Sequence, residues 1–128
     1  MHGDDGLDEL TTTTTSSIWE VRDGDVREWT LDPSTLGIAP AEPADLRGGD
    51  VAHNRTLADA IISGEPGPRA DLVALNAAAA LVVADVAEDL AAGLELARTV
   101  LAAGAARDVL DRWVRVSQQA RADEAEEA

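Results

Sequence analysis

The 128 residues contain no cysteine, no lysine, no phenylalanine and no tyrosine. Without cysteine, disulfides and thiolate metal centres are excluded. Without Phe or Tyr, and with only three Trp, the apolar share of 45% rests on Ala, Leu, Val and Ile. That set favours close small-residue helix packing over an aromatic-rich β core. Without lysine, all ten cations are arginine, opposed by 25 Asp and Glu, for a formal net charge of −15. Most of such a surface repels a nucleic-acid backbone or an anionic membrane, so neither is expected as a partner. Long apolar runs are lacking too. The longest, "LVALNAAAALVVA" over residues 72–84, covers 13 positions and is interrupted by Asn76, whereas a spanning helix needs roughly 20. No basic segment followed by an apolar one opens the chain. The expectation is one cytoplasmic domain, of a length at which a core can be buried.

What is present falls into an order. "HGDDGLDEL", residues 2–10, sets Asp4, Asp5, Asp8 and Glu9 into six positions with glycine between them, the composition of an acidic loop. The β-branched run from Thr11 suits extended structure, and strands are expected over 11–31. Asp23-Gly24 sits at the centre of "IWEVRDGDVREWTL", and this dipeptide tolerates the positive φ angles of a tight hairpin turn. The register stays open: a two-residue loop sets Trp19 against Glu28, a three-residue loop sets it against Trp29. Residues 32–49 form a Pro- and Gly-punctuated connector with at most a short helical turn near 43–46. Helical periodicity then fills 50–118. One helix starts at the N-cap Asp50 and carries Leu57, Ala58, Ile61 and Ile62 on one face. The others span about 69–84, 86–103 and 105–118, the last with a stripe of Val109, Leu110, Trp113 and Val114. Residues 119–128 are expected to be a flexible acidic tail that buries nothing.

Several residues stand out against this background. Asn76 is polar in an apolar helix, and a buried amide requires hydrogen-bond partners, expected from a neighbouring turn or loop. Gly93 inside a helix costs about 1 kcal/mol relative to Ala, and close approach of another backbone is the expected compensation. His2 and His53 are the only histidines and are expected to be structural or exposed. No nucleophile, base and acid constellation can be assembled, and no Gly-rich phosphate loop occurs. For the acids, spacing alone leaves two readings open, a solvated terminus and a partial oxygen-ligand site. Mg²⁺ takes one or two protein carboxylates, keeps several waters and fills the rest with phosphate oxygens, and Asp8 and Glu9 are such a pair. Adjacent side chains diverge, so they suit two adjacent ions, or one ion and its water shell, better than side-by-side chelation. An EF-hand is excluded, since the twelfth position counted from Asp4 is Thr15, where a bidentate Glu is required.

Taken together, "HGDDGLDELTTTTTSSIWEVRDGDVREWTL", "DLRGGDVAHNRTLADAI" and "LNAAAALVVA" resemble the C-terminal part of the anthranilate phosphoribosyltransferase family, over residues 2 to about 117. The resemblance implies an α/β fold: the C-terminal part of a phosphoribosyltransferase α/β domain (1–118), a β-hairpin remnant packed with about four helices. It implies Mg²⁺-dependent transfer of the phosphoribosyl group of phosphoribosyl pyrophosphate to the amine of anthranilate, and it makes 1–10 a metal-binding loop with Asp8 and Glu9 as ligands. His2, Asp4 and Asp5 receive no direct role from it. The family's "GTGGD"-type pyrophosphate loop and "KHGN"-type segment have no counterpart here, and a hydrophobic residue precedes its "HG" where Met1 stands. The expectation is therefore a truncated or internally started reading frame, inactive alone, with most of the family's dimer surface missing. Two alternatives stay open: an interaction module complementing a separate N-terminal half, and a related pentosyltransferase or nucleoside phosphorylase.

Overall fold

Asp23 and Gly24 both adopt positive φ, 54° and 88°, the conformation of a type I′ turn whose twist matches the strands it joins. This closes the two-residue loop. Strands β2 (Ser16–Arg22) and β3 (Asp25–Leu31) pair antiparallel, with Trp19 opposite Glu28 and Ile18 opposite Trp29. Opposed residues share a face. Ser16 with Leu31 and Ile18 with Trp29 therefore line the inner face, where Ile18 and Trp29 pack on the core. Trp19, Val21 and Val26 lie on the other face and are exposed. A third strand, β1 (His2–Gly3), pairs antiparallel with the start of β2 in the order β1-β2-β3.

The computed structural model describes residues 1–127. After a 3-10 turn at Pro33–Leu36 come α1 (Pro43–Leu46), α2 (Val51–Ile62), α3 (Pro68–Val83), α4 (Leu90–Ala102) and α5 (Ala105–Glu127). Asp50 caps α2 by accepting from the His53 N–H at 2.8 Å, and Asp89 caps α4 by accepting from Ala92 at 2.8 Å. The fold is a small α/β unit in which α4 packs against α3 and the inner face of the sheet shares one core with both helices. The core is built from Leu10, Leu31, Ile38, Ala74, Leu75, Ala78, Leu94 and Ala97. Small residues dominate the contact between α3 and α4. At Gly93 an added Cβ would stand 2.9 Å from the Ala78 carbonyl oxygen and 3.0 Å from its Cα, which is the close backbone approach expected there.

Three expectations are corrected. Strands were expected over 11–31, but β2 begins only at Ser16. The threonine run is a bent loop, because its hydroxyls bond locally and compete with ladder pairing. The helix expected from residue 86 starts at Leu90. Asp85 takes a left-handed φ of 55°, and its N–H and that of Val86 reach back to Val82 O and Leu81 O at 3.1 and 2.9 Å. These two bonds form a Schellman stop, which pushes the next start to the Asp89 cap. Finally, residues 119–128 were expected as a flexible tail that buries nothing; residues 119–125 are exposed, but α5 continues to Glu127, and residue 128 lies outside the described residues. No Gly or Pro interrupts it, and Gln119 donates to Asp123 one turn on at 2.7 Å. The stripe on α5 is largely exposed, Trp113 by 70%. The helix is tied to α2 by Arg107, which donates to the Asp59 carboxylate at 2.8 Å, to Asp59 O at 3.2 Å and to Ser63 Oγ at 3.0 Å. That hydrogen bond from Arg107 holds the Asp59 carboxyl below the ordinary carboxylate value. Among the described residues no helix is long and apolar enough to cross a membrane.

Candidate metal centre

The four acids at the start of the chain divide into two pairs. Asp5 accepts from the Leu7 N–H at 3.1 Å, from the Thr11 hydroxyl at 2.7 Å and from the Thr13 hydroxyl. Asp4 accepts from the hydroxyls of Thr15 and Ser17. These carboxylates brace the acidic loop against the threonine segment, which is otherwise stitched to itself and its neighbours. Thr11 N–H donates to Ser16 Oγ at 3.0 Å, and the Thr12 carbonyl accepts from Ala41 at 2.9 Å. Thr11 and Ser16 are buried, and their hydroxyl and carboxylate partners satisfy groups that water cannot reach; the Thr12 hydroxyl, equally buried, has no partner among the described residues. The sequence reading gave Asp4 and Asp5 no role. The sequence signal for such a role is the hydroxyl run that follows them, whose β-branching also suits strands.

Asp8 and Glu9 are different. Both are exposed, and neither carboxylate is hydrogen-bonded among the described residues. They lie between two pinned points. On one side the Leu7 carbonyl accepts from the Gly3 N–H at 2.9 Å and from His2 Nδ1 at 2.8 Å. On the other, Leu10 is wholly buried in the core, its N–H donates to Asn76 Oδ1 at 3.0 Å and its carbonyl accepts from Asn76 Nδ2 at 2.8 Å. The partner required by Asn76 is thus this loop. His53 is exposed at the start of α2, away from the pair in sequence and in a different capping arrangement.

Among the described residues no group of three or more His, Asp and Glu side chains is arranged to hold a metal. A complete protein cage of the kind Ca²⁺ takes does not fit, nor does a tetrahedral zinc site. Two free, hard oxygen donors do fit an ion that keeps water and shares phosphate oxygens, as Mg²⁺ does.

The bracing by Asp5 depends on pH. Burial pushes the Asp5 carboxyl up, but the Thr13 and Thr11 hydroxyls and the Leu7 N–H outweigh it and hold the group below its ordinary 3.8. With the folded value the lower one, the unfolded chain binds the extra proton between the two, so stability rises with pH there. The contribution is fully present above about pH 4 and is lost as pH falls through the folded value. Thermal melts from pH 5 to 2.5 should fall more steeply for the wild type than for Asp5→Asn. Parallel curves would remove Asp5 as the bracing acid.

The chain is thus a small α/β unit that presents two exposed carboxylates, Asp8 and Glu9, from a braced loop. The chain belongs to the glycosyl transferase family, a/b domain, whose family model matches residues 1–107. Within that family its curated relatives are anthranilate phosphoribosyltransferases. That of Nocardioides sp. is 56% identical over 119 residues, 89% of this chain and 35% of the relative. That of Thermobifida fusca is 52% identical over 127 residues, 95% of this chain and 36% of the relative. The chain therefore spans about a third of their length. Among solved structures, the Thermus thermophilus anthranilate phosphoribosyltransferase superposes with a TM-score of 0.80 at 38% identity, covering 89% of this chain and 33% of that one. The Saccharomyces cerevisiae enzyme, solved with 4-fluoroanthranilate, shares the fold at a TM-score of 0.78 and 21% identity, covering 89% of this chain and 34% of that one.

Proposed function

We propose that these residues are the metal-binding C-terminal third of an anthranilate phosphoribosyltransferase, and that Asp8 and Glu9 hold Mg²⁺. The observation that carries the reading is the division of the acids: two are consumed in bracing the loop, and the adjacent two are left unpaired and exposed. In the reaction, the anthranilate amine forms a bond to the ribosyl C1 of phosphoribosyl pyrophosphate. The bond from C1 to the pyrophosphate oxygen breaks, and the nitrogen loses a proton. Bound Mg²⁺ supplies neutralisation of the negative charge that builds on the departing pyrophosphate. The chain's own contribution is to keep two carboxylates exposed, oriented and free of competing hydrogen bonds. The strongly negative surface agrees with an acidic loop that needs a cation before it can receive a polyanion.

Two carboxylates cannot bind the phosphoribosyl donor or exclude water from its reactive carbon, so the 128 residues alone should show no turnover with both substrates and Mg²⁺. Joined to the remainder of the Nocardioides relative, they should restore turnover. In that joined protein Asp8→Ala or Glu9→Ala should lower kcat/KM at least about tenfold, the scale of losing one charge-stabilising contact, and should flatten its dependence on Mg²⁺. Unchanged kinetics in both variants would remove the assignment.

A further inference from the structure

Asp8 and Glu9 are suspended between Leu7 and Leu10, and the two supports differ in origin. The Leu7 end is held within the loop, by Gly3, His2 and Asp5. The Leu10 end is held by the core that buries the Leu10 side chain and, at its backbone, by one side chain from α3, 66 residues away. Asn76 uses its carbonyl oxygen on the Leu10 N–H and its amide on the Leu10 carbonyl. It engages both backbone groups of that residue, as a neighbouring strand would. A further bond from the same Nδ2 to Leu72 O at 3.0 Å fixes the amide to its own helix. The orientation of Asn76 is therefore determined: its oxygen must face the donor and its nitrogen the two acceptors.

We infer that Asn76 is the positioning residue of the Asp8 and Glu9 pair, the group through which α3 sets where the two carboxylates stand. The inference rests on the proposed reading of that pair as cation ligands. Mg²⁺ demands near-ideal octahedral geometry and gives up its water reluctantly. A ligand segment that must be ordered on binding loses affinity for each residue fixed. With Leu10 clamped through both backbone groups and its side chain buried, the residue next to Glu9 is already ordered. The loop's own hydrogen bonds cannot do this at the Leu10 end, because they all fall at or before Leu7 or at Thr11 and beyond. Asn76 touches neither the ion nor a substrate, and acts only through Leu10.

The test uses the 128-residue chain, labelled with ¹⁵N and titrated with Mn²⁺ alone, following paramagnetic broadening of the amide signals of Leu7 to Leu10. This readout is local, so the many other carboxylates of the chain do not obscure it. In the wild type these signals should broaden first. Asp8→Ala and Glu9→Ala should abolish that preference. Asn76→Ala, and Asn76→Asp, which keeps the acceptor and loses both donors, should each raise the midpoint about tenfold or more, as loss of an outer support does at metal sites. Arg107→Ala, which releases α5 from α2, should leave the midpoint where it is. If Asp8→Ala and Glu9→Ala move the midpoint but the Asn76 variants do not, the positioning role is overturned and the cation reading stands. A midpoint unaffected by Asp8→Ala and Glu9→Ala overturns the cation reading and the inference with it. Equal shifts in the Arg107 and Asn76 variants, or loss of a dispersed spectrum in both Asn76 variants, would show that Asn76 serves the fold in general, and would also overturn the inference.

Discussion

Gly93→Ala is expected to destabilise the chain, although alanine is the better helix former by about 1 kcal/mol. Intrinsic propensity and packing predict opposite signs here, and the distances decide between them. The added Cβ would stand 2.9 Å from the Ala78 carbonyl oxygen, 3.0 Å from its Cα and 3.1 Å from its Cβ. Two of these three atoms are backbone, so relief requires that α3 and α4 move apart as units. Their separation is fixed by Ala74, Ala78, Leu94 and Ala97, all buried in the same contact. Overpacking of this kind costs about 1–3 kcal/mol. Gly93→Val adds two further carbons and should reach or exceed the top of that range. For a chain of this size such a loss is a large fraction of the total. Urea denaturation followed by circular dichroism is the check: the midpoint should fall for Ala and further for Val, with little change in slope. A midpoint that rises for Gly93→Ala would mean that the helices separate freely, and that propensity rules after all.

Leu10→Ala should cost about 2–5 kcal/mol, the range for truncating a fully buried leucine. Leu10 is 0% exposed and belongs to the core with Leu31, Leu75 and Leu94, so its removal leaves a cavity at the point where the acidic loop enters the interior. Asp8→Ala and Glu9→Ala, two and one positions away and exposed, should stay within about 0.5 kcal/mol of wild type. The contrast separates anchor from ligand. Melting temperatures of the three variants side by side provide the measurement. A Leu10→Ala protein as stable as Asp8→Ala would mean that the loop is not seated in the core.

Much of the fold was legible because it depends on neighbours in sequence. Asp23-Gly24 announced its turn, Asp50 its cap, and 43–46 its single helical turn. Asn76 and Gly93 were legible in a different way, as local violations that demanded compensation: an amide among apolar residues needs partners, and a glycine inside a helix needs a reason. The threonine run misled because β-branching favours strands, while the same hydroxyls can satisfy carboxylates. The start of α4 was missed because a left-handed Asp85 ends α3 where a glycine would usually have signalled the stop. The sheet register could not be chosen from alternation, and the turn conformation chose it.

The sequence by itself determined the chemical inventory: oxygen ligands without thiolates, a negative surface, small-residue helices, and the family motifs that mark the acidic loop. Only the tertiary structure decided which of four similar acids are free. Asp4 and Asp5 are consumed because the fold brings Thr11, Thr13, Thr15 and Ser17 against them, whereas Asp8 and Glu9 stay exposed beside Leu10, which α3 engages through Asn76. The reason is physical: a carboxylate's role is set by the donors within about 3 Å of it, and here most of those donors are delivered by chain segments that local sequence pattern does not connect.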